Sequence, residues 1–178
     1  PTDKEVEKIL HESLKGIVGT HFVGEEGTVS GKGQLTIMVD PLDGTRPFAL
    51  GLATSTVIVA FVHPNRGVVA CVIGEPSTGR IWSATEDAST VLLAEGSLAP
   101  EPVNVWRGKF TEQASIFLDA SNGFTRNGRQ IMTDDQVHRL MVNLSKKGRL
   151  VMTGSNGLHF ALVANGGEYA AGQITTAV

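Results

Sequence analysis

The chain opens on a helical period. Val6, Ile9, Leu10 and Leu14 fall on one face of an α-helix, and Thr2 followed by Glu5 has the form of a capping box, so a first helix is predicted from about Asp3 to Lys15. After Gly19 the period shortens to that of strands. His21 to Glu25 and Leu35 to Val39 read as a hairpin with acids at its ends, joined by a Gly-rich turn through Gly31 and Gly33. Thr54 to Val62 and Gly67 to Ile73 are β-branched runs split by His63-Pro64-Asn65-Arg66, which is hairpin chemistry. Arg80 to Ala84 and Thr90 to Ala94 add two short strands, so the first hundred residues are expected to be α+β with an antiparallel sheet.

The prolines of Leu98-Ala99-Pro100-Glu101-Pro102 cannot continue a helix or a central strand, and a boundary is expected there. Residues 1–100 would form an N-terminal α+β unit, and 101–178 a partial C-terminal α/β unit. Within the latter, Ala114 to Asp119 and Leu150 to Thr153 read as strands. Val137, Leu140, Met141 and Leu144 mark a helix behind a Thr133/Gln136 capping box, and Leu158 to Ala164 marks another. The sequence ends at Thr175-Thr176-Ala177-Val178, in what reads as mid-strand.

Composition narrows the function classes. With 178 residues, 41% hydrophobic, the chain can bury a real core. Its 15 Lys+Arg against 18 Asp+Glu form no basic block, which argues against a nucleic acid polymer or an anionic membrane as partner. The longest apolar runs, Val57 to Val62 and Val68 to Ile73, are far short of the roughly 20 residues a spanning helix needs. Pro1 to Thr20 lacks the form of a signal peptide, and the lone Cys71 reads as a buried small hydrophobe, so a cytoplasmic setting is expected by default.

The stretch that carries chemistry is Val39-Asp40-Pro41-Leu42-Asp43-Gly44-Thr45, where two carboxylates flank a proline at a strand end. Carboxylates that converge with no Lys or Arg between them repel, and a hard divalent cation with oxygen ligands relieves that repulsion. Gly24-Glu25-Glu26 at a neighbouring strand end offers a third acid. The set describes an all-oxygen Mg²⁺ site suited to phosphate chemistry. The same residues also permit a plainer account. Asp-Pro-x-Asp-Gly is good turn chemistry, and Glu25-Glu26 could be a solvated hairpin end. The five histidines show no ligand spacing with a Cys, there is no nucleophile elbow or Gly-rich nucleotide loop, and Asp134-Asp135 needs no role beyond meeting a helix dipole.

Gly24-Glu25-Glu26 together with Asp40-Pro41-Leu42-Asp43-Gly44-Thr45 and Phe48 resembles the inositol monophosphatase-like family of Mg²⁺-dependent phosphatases. Asp3-Lys4-Glu5-Val6-Glu7 looks like that family's upstream helical segment. Gly154-Ser155-Asn156, followed by Leu162-Val163-Ala164 and Gly166-Gly167, looks like its sugar-side loop and helix. The resemblance implies a layered α-β-α-β-α sandwich of the sugar phosphatase type. It implies metal ligation by Glu25, Asp40, Asp43 and the Leu42 carbonyl, with two or three Mg²⁺ ions and Mn²⁺ as an alternative. Thr45 would hydrogen-bond Asp3, the pair steering and helping to deprotonate the attacking water, and the N–H groups of Gly44 and Thr45 would hold the phosphate.

On the substrate side the resemblance matches Gly154, Ser155 and Asn156 to the ring or sugar and Gln173 to a substrate hydroxyl. From the residues alone, Ser155 or Asn156 could equally cap the following helix, and Gln173 could be an ordinary strand residue. The expected activity is hydrolysis of a small phosphorylated polyol, sugar or nucleotide by a lithium-sensitive homodimer. One departure stands out: the family's final ligand is an Asp in a Trp-Asp motif, and neither Trp82 nor Trp106 is followed by Asp. The sequence therefore reads as an internal segment with its second domain incomplete. Two alternatives stay open, a non-catalytic segment serving metal binding or assembly and a structural protein whose Asp-Pro-Leu-Asp-Gly is only a turn.

Overall fold

The computed structural model describes residues 2–17, 20–119, 125–126, 129–130 and 132–173. Helix α1 (Thr2–Leu14) brings Leu10 and Leu14 onto a core of Phe22, Ile37, Val39 and Val59. It begins earlier than its sequence suggests, so Thr2 lies inside the first turn instead of capping it. Ile9, expected on the buried face, is 59% exposed, and Glu7 is buried instead at 8%. The reason is polar: the Glu7 carboxylate accepts the backbone N–H of Glu26 at 2.9 Å, so α1 turns that side chain inward.

Eight strands follow: β1 (His21–Val23), β2 (Thr28–Val29), β3 (Thr36–Asp43), then after helix α2 (Thr45–Ala49) β4 (Thr56–His63), β5 (Gly67–Glu75), β6 (Arg80–Thr85), β7 (Ala88–Leu93) and β8 (Glu101–Pro102). They form one sheet in the order β2-β1-β3-β4-β5-β6-β7-β8. From β3 onward every pairing is antiparallel, as the hairpin signals predict. The expected hairpin between the strands at 21–25 and 35–39 does not form. β1 makes its hairpin with β2, and the chain then crosses back so that β3 runs parallel to β1, with Val23 beside Met38. β8, in the proline-rich stretch, is a two-residue edge strand on β7, where Pro102 has only one neighbour to satisfy.

The remaining residues build a parallel sheet. β9 (Ser115–Asp119) is central, flanked by β12 (Arg149–Val151) and β13 (Tyr169–Gln173), and β10 (Thr125–Arg126) pairs separately with β11 (Arg129–Gln130). Helix α3 (Asp134–Ser145) leads from β9 to β12, and its predicted Thr133/Gln136 capping box is formed in both directions. Helix α4 (Asn156–Ala164) leads from β12 across to β13. The two crossovers run in opposite directions, so right-handed connections place α3 and α4 on opposite faces of this sheet. α4 also packs on β4 and β5 of the larger sheet, its Gly157 against Ile58, whose neighbour Val59 faces the core under α1, so α4 lies on the opposite face. The layers are thus α1, large sheet, α4, small sheet and α3, the expected α-β-α-β-α sandwich. No helix among the described residues is long and apolar enough to cross a membrane.

Candidate active site

The parallel pairing of β1 and β3 decides where the acids go. An antiparallel hairpin would send Glu25 and Asp40 to opposite ends of the sheet. The observed register pairs His21 with Thr36, Phe22 with Ile37 and Val23 with Met38, and both strands leave at the same end, where Glu25 in the turn after β1 lies near enough for its charge to act on Asp40. There β3 is irregular: Asp40 pairs with Ile58 but Asp43 with Thr56, so β3 carries one extra residue. Pro41 is fully buried within that irregularity and has no N–H to leave unpaired.

The turn chemistry legible in the sequence is present beside the carboxylates. Asp40 Oδ1 accepts the Leu42 N–H at 3.1 Å, and Gly44 takes φ +85°, a conformation that favours glycine. α2 starts at Thr45 and is only five residues long, so a phosphate at the N–H groups of Gly44 and Thr45 would gain hydrogen bonds and little from a helix dipole. The exposed Thr45 donates its hydroxyl to the Leu42 carbonyl oxygen at 3.0 Å rather than to Asp3.

Asp40 is half-buried, and its carboxyl is pushed up to about 6. Burial is the main cause, the charge of Asp43 the next, and Glu25 and Asp3 add smaller repulsions against the opposing Leu42 N–H bond. Lys4 on α1 pairs with Glu26 at 3.2 Å, and Glu25 is exposed.

Asp43 is differently placed. Only 9% exposed, it accepts through Oδ2 the hydroxyl of Thr56 at 2.8 Å, the hydroxyl of Ser155 at 2.5 Å and the N–H of Gly157 at 2.8 Å. Its Oδ1 accepts the Asn156 N–H at 3.2 Å. One carboxylate of the large sheet therefore receives the start of α4, whose N-cap is Ser155. Of the two roles open to Ser155, the cap is formed: its Oγ accepts the Leu158 N–H at 3.1 Å, and the residue has no exposed surface.

Glycines permit this approach. A Cβ on Gly157 would lie 2.3 Å from Thr56 Oγ1, and one on Gly154 would lie 2.7 Å from Pro47 Cγ. Thr54 adds a hydroxyl bond to the Thr153 carbonyl at 3.3 Å. The backbone of Gln173 pairs with Asp119 at the end of β13, and its side chain lies outside the described residues. Cys71, expected to be buried, is half-buried, with burial pushing its thiol up.

Sequence reasoning missed the roles of two residues. Glu7 beneath the 24–27 turn had no local signal, since the N–H it accepts lies 19 residues away. Thr56 had none, being one more β-branched residue in a strand.

A hard divalent cation suits this donor set. All candidate donors are oxygens, and the uncompensated repulsion at Asp40 is what such a cation would relieve. Among the described residues no three His, Cys, Asp or Glu side chains are gathered closely enough to hold a metal ion.

A sequence model of the inositol monophosphatase family matches residues 1–171. The histidinol-phosphatase of Streptomyces coelicolor is 32% identical over 131 residues, which are 71% of this chain and 49% of that protein. Inositol monophosphatase 1 of Sus scrofa is 36% identical over 90 residues, 44% of this chain and 32% of that protein. The chain thus spans about half or less of the length of these curated relatives. Among solved structures, the SuhB protein of Mycobacterium tuberculosis superposes with a TM-score of 0.73 over 92% of this chain and 61% of its own, at 21% identity, a likeness of fold.

Proposed function

The chain belongs to the inositol monophosphatase family, and from that premise we propose that it is a Mg²⁺-dependent hydrolase of a small phosphorylated polyol, sugar or nucleotide. The observation that carries this reading is the parallel pairing of β1 and β3. It brings Glu25, Asp40 and Asp43 to one end of the sheet, where the charges of Asp43, Glu25 and Asp3 all raise the Asp40 carboxyl. Glu25, Asp40, Asp43 and the Leu42 carbonyl would hold two or three Mg²⁺ ions, or Mn²⁺ in their place. Bound there, the cations would neutralise phosphoryl charge and acidify water.

The chain's own groups have separate tasks. The Leu42 oxygen spends one lone pair on the Thr45 hydroxyl and keeps the other. Thr45 Oγ1, with its hydrogen committed to Leu42, can only accept from an attacking water and so fixes its orientation. Asp3, close enough to influence Asp40, is assigned the proton that water loses. The N–H groups of Gly44 and Thr45 are assigned to the phosphate, and Gly154, Asn156 and Gln173 to the organic part. Ser155, wholly buried, supports the loop rather than touching substrate. We assign residues 1–100 to the metal-binding unit and 101–178 to a partial substrate-side unit, in a cytoplasmic homodimer inhibited by lithium.

A phosphate-release assay over inositol, sugar, nucleotide and histidinol phosphates with Mg²⁺ tests this reading. Activity lost in Asp40→Asn and retained in a surface variant such as Lys147→Ala supports it. A second reading, a non-catalytic segment for binding or assembly, is favoured by the spread of the acids, which form no ready three-carboxylate cluster among the described residues. Silence of every ester at saturating Mg²⁺ supports that one.

A further inference from the structure

The Asp43 carboxylate is gripped by more donors than a turn requires, and the grip is lopsided. Oδ2 receives two hydroxyls and one backbone N–H, whereas Oδ1 receives a single N–H at 3.2 Å. A carboxylate oxygen offers about two lone-pair sites, so Oδ2 is saturated and Oδ1 keeps capacity. Thr56 and Ser155 each have no exposed surface, so neither hydroxyl can turn to water or touch a substrate. Each has one hydrogen, and both hydrogens go to Oδ2, which leaves the 3.2 Å approach of the two hydroxyl oxygens as a contact without a proton of its own.

We propose that Thr56 and Ser155 are positioning residues, which hold Asp43 by Oδ2 so that Oδ1 is presented to a divalent cation, and that the start of α4 is thereby coupled to occupancy of the site. The inference rests on Asp43 being a cation ligand, as assigned above. The grip comes from both halves of the chain, Thr56 from β4 and Ser155 from the loop before α4. It closes only because residue 157 is glycine, a Cβ there falling 2.3 Å from Thr56 Oγ1 and 3.1 Å from Asp43 Oδ2. A cation pulling on Oδ1 then tightens the same carboxylate that receives the N–H groups of Asn156 and Gly157.

The test is a calorimetric titration of Mn²⁺ into the whole chain and into Thr56→Val, Thr56→Ser and Ser155→Ala, with hydrogen exchange at the amides of 156–158. Removing a group that orients a metal ligand weakens affinity about 10- to 100-fold. Thr56→Val and Ser155→Ala should each bind about tenfold more weakly, Thr56→Ser should stay near the parent, and added Mn²⁺ should slow exchange at 156–158 in the parent and in Thr56→Ser but not in the other two. A merely structural role would lower the melting temperature and leave affinity and the Mn²⁺-dependent protection unchanged, which overturns the proposal. If circular dichroism shows Thr56→Val unfolded, Ser155→Ala and Thr56→Ser decide on the same criteria. A parent chain that takes up no Mn²⁺ overturns the ligand assignment itself, and is told apart from the first failure by the parent's titration.

Discussion

Asp40→Asn should make the cation-free chain more stable while removing its cation binding. Asp40 is held up at about 6 from an ordinary 3.8 by burial first and by the charge of Asp43 next. Between those two values the folded chain keeps a proton that the unfolded chain has released, so the group's contribution to stability is fully present below about pH 4 and is lost as pH rises through about 6. A displacement of that size corresponds to at most about 3 kcal/mol, and because the side chain is only half-buried, solvent screening reduces it to about 1–2 kcal/mol. Asparagine keeps the Oδ1 that accepts the Leu42 N–H and carries no charge, so it should recover that amount near neutral pH. In a chain of this length that is about 2–8 °C in melting temperature.

Thermal melts of both proteins in a chelator at about pH 7 and about pH 4 measure it. The variant should melt higher at neutral pH, the gain should vanish at the acid end, and saturating Mg²⁺ should reverse the order by stabilising only the parent. A variant that melts lower at neutral pH, or a gain that persists at pH 4, would refute the reasoning, because the repulsion at Asp40 would not be what the substitution removes.

Other consequences are as direct. Cation affinity should fall below about pH 6, approaching tenfold per pH unit as Asp40 takes up its proton, and should level off above it, as titrations at several pH values would show. Gly157→Ala forces a Cβ between Thr56 and Ile58 Cδ1, which lies 2.9 Å away, and should cost about 2–3 kcal/mol in urea denaturation. Arg80→Ala strips buried Glu75 of two guanidinium bonds at 2.6 and 2.8 Å and should cost about 3 kcal/mol, more than Glu75→Gln in the same assay. Glu7→Ala leaves the Glu26 N–H without its acceptor and should cost about 1–2 kcal/mol and weaken Mg²⁺ binding, whereas Glu7→Gln should do neither strongly.

Much of the architecture is legible in local pattern because the signals are local. The β4–β5 connection at 64–66, the Thr133/Gln136 box and the φ of Gly44 all depend on neighbours in sequence, and all are found where the pattern puts them. The partner of β1 is not local. Nothing in residues 21–39 distinguishes a hairpin with β3 from a hairpin with β2 and a return, yet that choice decides whether Glu25 and Asp40 share an end of the sheet. The burial of Glu7 is invisible for a similar reason, since periodicity marks the neighbouring apolar positions and the N–H it accepts lies 19 residues away. The string from Asp40 to Thr45 satisfies the turn account and the carboxylate account at once. Asp40 accepts a local backbone N–H and is also the acid on which the others press. The bonds of Asp43 to Ser155, Asn156 and Gly157 span more than a hundred residues, and no spacing in the sequence announces them.

The most direct test of the account is isothermal titration of Mg²⁺ into the parent chain and into Asp40→Asn under one buffer near neutral pH. The account predicts saturable binding by the parent, and its loss in a variant that remains folded. Equal binding by both proteins, or none by the parent, would contradict the claim that the acids at the ends of β1 and β3 form a cation site.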